Sequence, residues 1–169
     1  MHFTLHLTDA CNLRCRYCYV RQSNHSMTLD TAKAVVDLAA EDPGHHGLIF
    51  FGGEPLLQRQ LIYDTVAYAQ SLRLPGKFHF KITTNGTLLD REFLDFSQKN
   101  QVFIALSHDG IAQDVNRIGP EDSGTFDDLE PIADKLAGRL YQKRSGAFLQ
   151  KQYNDMYPVI SYVEDTAKK

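Results

Sequence analysis

Apolar residues in the first 137 positions follow two alternating periods, one of two residues and one of about 3.6. Alternation of apolar and polar residues predicts strands at about 3–8 and 78–82. Two continuous apolar runs, 48–51 and 102–106, predict strands that are covered on both faces. The chain therefore shows four strand signals, each separated from the next by a helical pattern.

Four helices are predicted between and after these strands. Thr28, Asp90 and Thr125 are candidate N-caps, since a side-chain oxygen at that position can accept from a free backbone N–H. The Gly44–Gly47 segment is predicted to be a turn, and its His45 and His46 are expected to be solvated. The expected buried faces of the helices, in chain order, are Leu29, Ala32, Val35, Val36 and Ala39; Leu57, Leu61, Thr65, Ala69 and Leu72; Phe93, Leu94 and Phe96; and Phe126, Leu129, Ile132, Ala133 and Leu136.

Alternation of strands and helices indicates an α/β fold with a parallel sheet and right-handed crossovers. A closed eight-stranded barrel takes about 250 residues, so four to five βα units predict an open, partial (β/α) barrel. We expect one domain whose core spans 1–137, followed by a poorly defined segment of the same domain at 138–169. Residues 158–163 of that segment could form a fifth strand.

Composition narrows the class of partners. The chain has 169 residues, of which 43% are hydrophobic and 23% charged, and its formal net charge is −3. This balance is typical of a globular domain and provides no broad attraction for nucleic acid or an anionic membrane. The sequence has neither a membrane-spanning apolar run nor the pattern of a signal peptide at its N-terminus, so we expect a reducing, cytoplasmic location.

Four unusual segments follow the four predicted strands, each where its strand ends. Because the carboxyl ends of parallel strands share one edge of a sheet, the four loops are expected to converge on one site. These segments are Cys11–Cys18, Gly52–Pro55, Thr83–Gly86 and Ser107–Gly110.

The first segment holds the three cysteines of the chain, Cys11, Cys15 and Cys18, in a C-x3-C-x2-C pattern. An odd and tightly clustered set is a poor disulfide framework. Three thiolates can hold a [4Fe-4S] cluster and leave one iron open to a chelating amino and carboxylate group. Two alternatives remain open: a thioredoxin-like redox pair of Cys15 and Cys18, and a zinc site completed by His6 or His25.

The four segments together resemble the motifs of the radical SAM superfamily, over roughly residues 3–137. Cys11–Cys18 is similar to the signature of that superfamily, and Gly52–Pro55 to its motif for the amino group of S-adenosylmethionine (SAM). Thr83–Gly86 and Ser107–Gly110 resemble motifs of the branch that modifies peptides and proteins, which includes sulfatase-maturating and SPASM-type enzymes.

The resemblance implies a partial barrel of the radical SAM type with two cofactors, a [4Fe-4S] cluster and SAM. Cys11, Cys15 and Cys18 would ligate the cluster. The SAM contacts that the resemblance implies are Tyr17 near the adenine, Gly52, Gly53 and Glu54 near the amino group, Asn85 at the ribose, and Ser107 and Arg117 at the carboxylate.

The implied activity is reductive cleavage of SAM to a 5′-deoxyadenosyl radical, used to modify a peptide or protein. A flavodoxin- or ferredoxin-like protein would donate the electron. No cysteine follows Cys18, although peptide-modifying relatives usually carry further clusters beyond the barrel. An activase of glycyl-radical enzymes and a non-catalytic cluster- and SAM-binding fragment are the alternatives. We also expect the sheet edge at 102–106 to remain uncovered and to promote self-association.

Overall fold

The computed structural model describes residues 1–129, 131 and 132. The chain divides into two compact units, Met1–Ser107 and a second unit that begins at His108. The first unit contains the whole sheet and three helices, and it positions the first three of the predicted loops.

The sheet of the first unit has four parallel strands in the order β1-β2-β3-β4. Their bounds are β1 His2–Thr8, β2 His46–Gly52, β3 Phe78–Thr84 and β4 Val102–Leu106. Each neighbouring pair is linked by a crossover, so every strand ends at the same edge of the sheet. The predicted α/β class, the four strands and their parallel direction are confirmed.

Three helices form the crossovers: α1 Leu29–Glu41, α2 Arg59–Ser71 and α3 Arg91–Asn100. Thr28 caps α1, since its Oγ1 accepts from the backbone N of Thr31 at 3.2 Å. Asp90 caps α3, since its Oδ1 accepts from the backbone N of Phe93 at 2.8 Å. Both predicted caps are confirmed, because a short polar side chain there satisfies an N–H that the helix leaves unpaired.

The core lies between the sheet and the inner faces of these helices. Removing this apolar surface from water is the main force that holds the βα units together. The buried apolar side chains include Leu5 and Leu7 of β1, Leu48 and Phe50 of β2, Phe80 and Ile82 of β3, Ala32, Val36 and Ala39 of α1, Leu61, Ile62, Val66 and Ala69 of α2, and Phe93 and Leu94 of α3.

Two expectations about the burial of single residues are wrong. Leu57 does not belong to the buried face of α2: it lies in a 3₁₀ turn, Pro55–Gln58, and is 42% exposed. His46 is buried rather than solvated, because β2 begins at that residue and its ring packs edge-on against Phe3 at 5.8 Å.

The second unit begins with short helical turns: the 3₁₀ turn Gly110–Ala112, helix α4 Gln113–Asn116 and the 3₁₀ turn Pro120–Asp122. Helical backbone resumes at 126–129. The side chain of Asp114, not the predicted Thr125, accepts from the first N–H groups there, at 2.6 Å from Thr125 N and 2.8 Å from Phe126 N. The Thr125 hydroxyl instead donates to the carbonyl of Arg117 at 2.7 Å.

Several expectations concern residues outside the described part of the chain. They are the domain boundary near 137, the segment 138–169, the possible strand at 158–163 and the inner positions Ala133 and Leu136. Across residues 1–129, 131 and 132, no helix is long and apolar enough to cross a membrane.

Candidate active site

Three of the predicted loops meet at the carboxyl edge of the sheet in the first unit. The cysteine segment follows β1, the Gly52–Pro55 segment closes β2, and the Thr83–Gly86 segment closes β3. Hydrogen bonds link each of these loops to another. The expectation of convergence is therefore confirmed for three of the four predicted loops.

Leu13 anchors the cysteine loop, since its side chain is buried whereas Asn12 is partly exposed and Arg14 is exposed. Cys11 and Cys15 are partly exposed thiols and Cys18 is an exposed one. The backbone N of Leu13 donates to Cys11 Sγ at 3.4 Å, and the backbone N of Cys18 donates to the Cys15 carbonyl at 3.1 Å. Burial raises the pKa of the Cys11 thiol above its ordinary value. The hydrogen bond from Leu13 N–H offsets only part of that rise.

Two polar side chains brace the same loop. Arg14 Nη1 donates to Gln22 Oε1 at 2.6 Å, and Gln22 Nε2 donates to the Leu13 carbonyl at 2.6 Å. Sequence reasoning did not identify this brace, because two exposed polar residues in a loop show no period that would relate them.

His6 and His25, the candidate fourth ligands of a zinc site, lie next to Asp9. His6 Nε2 is 2.9 Å from Asp9 Oδ1, and Ser23 Oγ donates to Asp9 Oδ2 at 2.9 Å. The Ser23 hydrogen bond and the two histidines lower the pKa of Asp9, although burial opposes them. His6 is thus committed to a carboxylate partner.

The paired glycines let β2 approach the start of the cysteine loop. A Cβ on Gly52 would overlap the Thr8 carbonyl oxygen, and a Cβ on Gly53 would overlap the carbonyl oxygen of Ala10. Gly53 N donates to Thr8 O at 2.8 Å, and Glu54 N donates to Ala10 O at 2.9 Å. The close contact that requires glycine at these two positions is therefore made with the backbone of Thr8 and Ala10.

Glu54 connects the loop after β2 to the loop after β3. Its Oε1 accepts from Leu56 N at 3.0 Å and from Thr84 Oγ1 at 2.7 Å, and its Oε2 accepts from Asn85 N at 2.8 Å. Glu54 has no exposed surface, and burial raises its pKa while the three hydrogen bonds oppose that rise. A carboxylate oxygen has two acceptor sites, so Oε1 is saturated and only Oε2 has one left for a cofactor.

Asn85 is also buried and turns its side chain toward the cysteine loop. Its Nδ2 lies 2.9 Å from Asn12 Oδ1 and 3.8 Å from Cys11 Sγ, while its Oδ1 accepts from Thr87 N at 3.0 Å. Sequence reasoning missed Asn12 and Thr87, although each lies within two residues of a predicted site residue.

Tyr17 and Ser107 are the two other predicted SAM contacts of the first unit. Tyr17 lies between two cysteines of the loop and is 52% exposed. Ser107 is half-buried next to the end of β3, where its backbone N donates to Thr84 O at 2.8 Å. Ser107 therefore lies at the expected edge of the sheet.

Arg117, the remaining predicted contact, belongs to the second unit. Its Nε donates to Asp109 Oδ1 at 3.0 Å, and its backbone N donates to Gln113 O at 2.7 Å. Gln113 is fully buried, and its Oε1 accepts from Asp109 N at 3.0 Å. The Arg117–Asp109 pair was not predicted; opposite charges eight residues apart were its only signal in the sequence.

Comparison with known families identifies the chain. The sequence model of the Radical SAM superfamily matches residues 5–141, which include the three cysteines and the four loops at the strand ends. The chain belongs to the radical SAM superfamily.

Several proteins from other organisms and a set of solved structures are similar to this chain. An uncharacterised protein of Methanocaldococcus jannaschii is 27% identical over 164 residues, which are 96% of this chain and 52% of that protein. GTP 3′,8-cyclase of Parasynechococcus marenigrum is 33% identical, over 85% of this chain and 43% of the cyclase. The cysteine-type anaerobic sulfatase-maturating enzyme of Clostridium perfringens is 24% identical, over 80% of this chain and 39% of that enzyme.

One structural match is to native anSMEcpe with bound AdoMet and Cp18Cys peptide, with a TM-score of 0.71 and 27% identity. It covers 79% of this chain and 38% of that one. The four strands thus correspond to part of a radical SAM barrel, as predicted. The chain spans about half the length, or less, of the relatives named here.

As a radical SAM protein, the chain has a [4Fe-4S] cluster and SAM as its cofactors. The donors present fit the cluster: three thiols on one loop, with N–H groups that face the Cys11 sulfur. Among the described residues, no three His, Cys, Asp or Glu side chains converge on one point, as a single zinc ion would require. A cluster does not need this convergence, because each thiolate binds a different iron.

Proposed function

We propose that this radical SAM chain reductively cleaves SAM, and that the protein to which it belongs uses the resulting radical to modify a peptide or protein. The observation that carries the proposal is the junction of three loops at one sheet edge, where Asn85 links Cys11 to Glu54. The chemistry that the cluster and SAM supply when bound is one-electron cleavage of a carbon–sulfur bond, which gives methionine and a 5′-deoxyadenosyl radical.

The residues of the chain bind and orient the cofactors in this proposal. Cys11, Cys15 and Cys18 would hold three irons and leave the fourth open. Glu54 Oε2, with its remaining acceptor site, would receive an N–H of the SAM ammonium group. Because Glu54 is fully buried and the three groups that donate to its carboxylate are fixed, it would stabilise that charge without first losing bound water.

The other predicted contacts complete the proposed SAM site. Tyr17, which is 52% exposed, would cover the adenine with its ring. Ser107 would donate to the SAM carboxylate. Arg117 would pair with the same carboxylate as a cation whose direction is held by Asp109.

A peptide or protein is the proposed substrate, on two grounds. The Ser107–Gly110 segment resembles the motif of the peptide-modifying branch. The chain is also similar to a sulfatase-maturating enzyme and to anSMEcpe with a bound Cp18Cys peptide. A flavodoxin- or ferredoxin-like protein of a reducing cytoplasm is the proposed electron donor, since three free thiols, two partly exposed and one exposed, require reducing conditions.

A nucleotide substrate is the second candidate, since the chain is 33% identical to a GTP 3′,8-cyclase over 85% of its length. The two candidates differ in what accelerates SAM cleavage. A cysteine-containing peptide should increase the rate of 5′-deoxyadenosine formation in the first case, and GTP should do so in the second.

The test is anaerobic reconstitution with iron and sulfide, reduction with dithionite or flavodoxin, and measurement of 5′-deoxyadenosine by mass spectrometry. We expect the wild-type chain to form it and the Cys15→Ala variant to form none. An iron-loaded wild-type chain that forms no more 5′-deoxyadenosine than Cys15→Ala would overturn the proposed catalysis and favour a binding fragment.

A further inference from the structure

The side-chain amide of Asn85 has only one orientation that its surroundings permit. The backbone N–H of Thr87 can only donate, and it points at one end of the amide at 3.0 Å. That end must therefore be the oxygen, which also lies 2.8 Å from Thr87 Oγ1. The opposite end, Nδ2, carries two hydrogens and faces the cysteine loop.

The hydrogen bonds of Asn12 are compatible with this orientation and join Asn12, Asn85 and Thr87 in a ring. Asn12 Nδ2 donates to Thr87 Oγ1 at 2.7 Å, and the hydroxyl of Thr87 donates its own hydrogen to Asn85 Oδ1. Asn12 Oδ1 in turn accepts from Asn85 Nδ2 at 2.9 Å. In this ring the Thr87 hydroxyl and one hydrogen of each Nδ2 group have an acceptor, and the second hydrogen of Asn85 Nδ2 remains.

The remaining hydrogen faces the sulfur of Cys11, with Nδ2 and Sγ 3.8 Å apart. Cys11 Sγ thereby lies between two N–H donors, Asn85 Nδ2 and the backbone N of Leu13. Asn85 is only 6% exposed, so water does not compete freely for its amide. Both polar ends of the amide are committed to protein groups, which leaves it poorly placed to bind a ribose hydroxyl.

We propose that Asn85 is a positioning residue that acts through Cys11: it orients the sulfur for iron and then sets the reduction potential of the cluster. The proposal rests on the proposed function, since it requires Cys11 to ligate the cluster. An N–H group directed at a ligand sulfur stabilises the more negative, reduced state, so it raises the reduction potential. Loss of the Asn85 amide should make the cluster harder to reduce.

Three variants separate this effect from a general disturbance of the loop. Asn85→Leu keeps a similar shape and removes the donor. Asn85→Asp keeps the oxygen that Thr87 N–H requires and places a second oxygen toward Cys11. Thr87→Val is the matched control, because it removes a hydroxyl from the same ring but retains the backbone N–H that orients Asn85.

The measurement is the midpoint potential of the reconstituted cluster, by spectroelectrochemistry with electron paramagnetic resonance detection. We expect the potentials of both Asn85 variants to be more negative than that of Thr87→Val, with Asn85→Asp shifted furthest. Equal potentials in Asn85→Leu and Thr87→Val, at equal iron content, would overturn the proposal and leave the cluster assignment intact. A wild-type chain that takes up no iron would overturn the proposed function, and this inference with it.

A second measurement does not depend on the variants folding. In wild-type protein labelled with ¹⁵N at asparagine side chains, pulsed electron paramagnetic resonance of the reduced cluster should detect a weak ¹⁵N coupling from Asn85. Asn12 Nδ2 points instead at Thr87. Absence of the coupling would contradict the contact between Asn85 and the Cys11 sulfur.

Discussion

Glu54 Oε1 accepts a hydrogen bond from Thr84 Oγ1 at 2.7 Å, and this bond is buried. It links the end of β3 to the loop that follows β2. Through Asn85, the same carboxylate is two hydrogen bonds away from Cys11. The acidic residue of the SAM-binding motif is therefore also a structural link between the loops that form the site. A substitution there should affect stability as well as cofactor binding.

Replacing Glu54 with Gln should destabilise the apoprotein as well as weaken SAM binding. In either orientation of the new amide, its NH₂ group meets a backbone N–H, that of Leu56 or that of Asn85. A buried donor left without an acceptor costs about 1–3 kcal/mol. Urea denaturation should show this loss, whereas Glu41→Gln, at an exposed position near the end of α1, should leave the free energy of unfolding nearly unchanged. Equal stabilities would contradict the link.

Replacing Gly53 with Ala should destabilise the junction of β2 and the cysteine loop by steric overlap alone. The new Cβ would overlap the Ala10 carbonyl oxygen and stand 2.8 Å from that of Asp9, and both are backbone atoms that cannot rotate away. Overpacking of this kind costs about 1–3 kcal/mol.

The control for Gly53→Ala is Gly44→Ala. Gly44 has a φ of +104° and open space around its Cβ position, so its substitution carries only a backbone cost of about 1–2 kcal/mol. Iron uptake should fall in Gly53→Ala and remain normal in Gly44→Ala. Normal iron uptake in both would show that the cysteine loop tolerates displacement from Gly53.

Iron stoichiometry tests the three cysteines. Anaerobic reconstitution should load about four irons per chain, and Cys15→Ala should abolish SAM cleavage. His25→Ala removes an imidazole that a zinc site could use and should leave the iron content unchanged. Stoichiometric zinc in the purified protein, without iron-dependent absorbance after reconstitution, would contradict the cluster.

The Asp90 side chain should make stability depend on pH in the acid range. Burial tends to raise its pKa, but the Phe93 N–H and the Arg59 guanidinium, 2.6 Å away, outweigh burial and lower it. Because the folded-state pKa is lowered, the stabilisation is present above the unfolded pKa of about 4 and is lost as the pH falls through the folded value.

Two substitutions separate the pH-dependent stabilisation by Asp90 from its role as the N-cap of α3. Asp90→Asn retains a capping oxygen for α3 and should lose only the pH-dependent part. Asp90→Ala should also lose the cap, at a cost of about 1 kcal/mol. Denaturation midpoints measured from about pH 6 to about pH 2 should converge for wild type and Asp90→Asn at the acid end. Parallel curves would show that the Arg59 pair contributes nothing.

Much of the fold follows from periodicity. The four strands, the caps Thr28 and Asp90, and the parallel direction of the strands were all predicted, because local hydrogen bonding and burial on one face leave regular patterns in the sequence. The errors arose where a longer-range contact outweighed the local pattern. His46 is buried because its strand partner in β3 extends β2 by two residues beyond the apolar run.

By itself, the sequence determined the chemistry of the site: three clustered thiols, paired glycines, one glutamate and one asparagine, each placed after a strand of a parallel sheet. Strand direction alone brings such loops to one edge, so their convergence could be predicted. Only the tertiary structure decided which atoms meet there. That Gly53 accommodates the carbonyl of Ala10, that Glu54 accepts from Thr84, and that Asn85 faces Cys11 depend on distances between residues 30 to 74 positions apart. Hydrogen bonds over such separations form only after the βα units have packed, and no local period in the sequence encodes them.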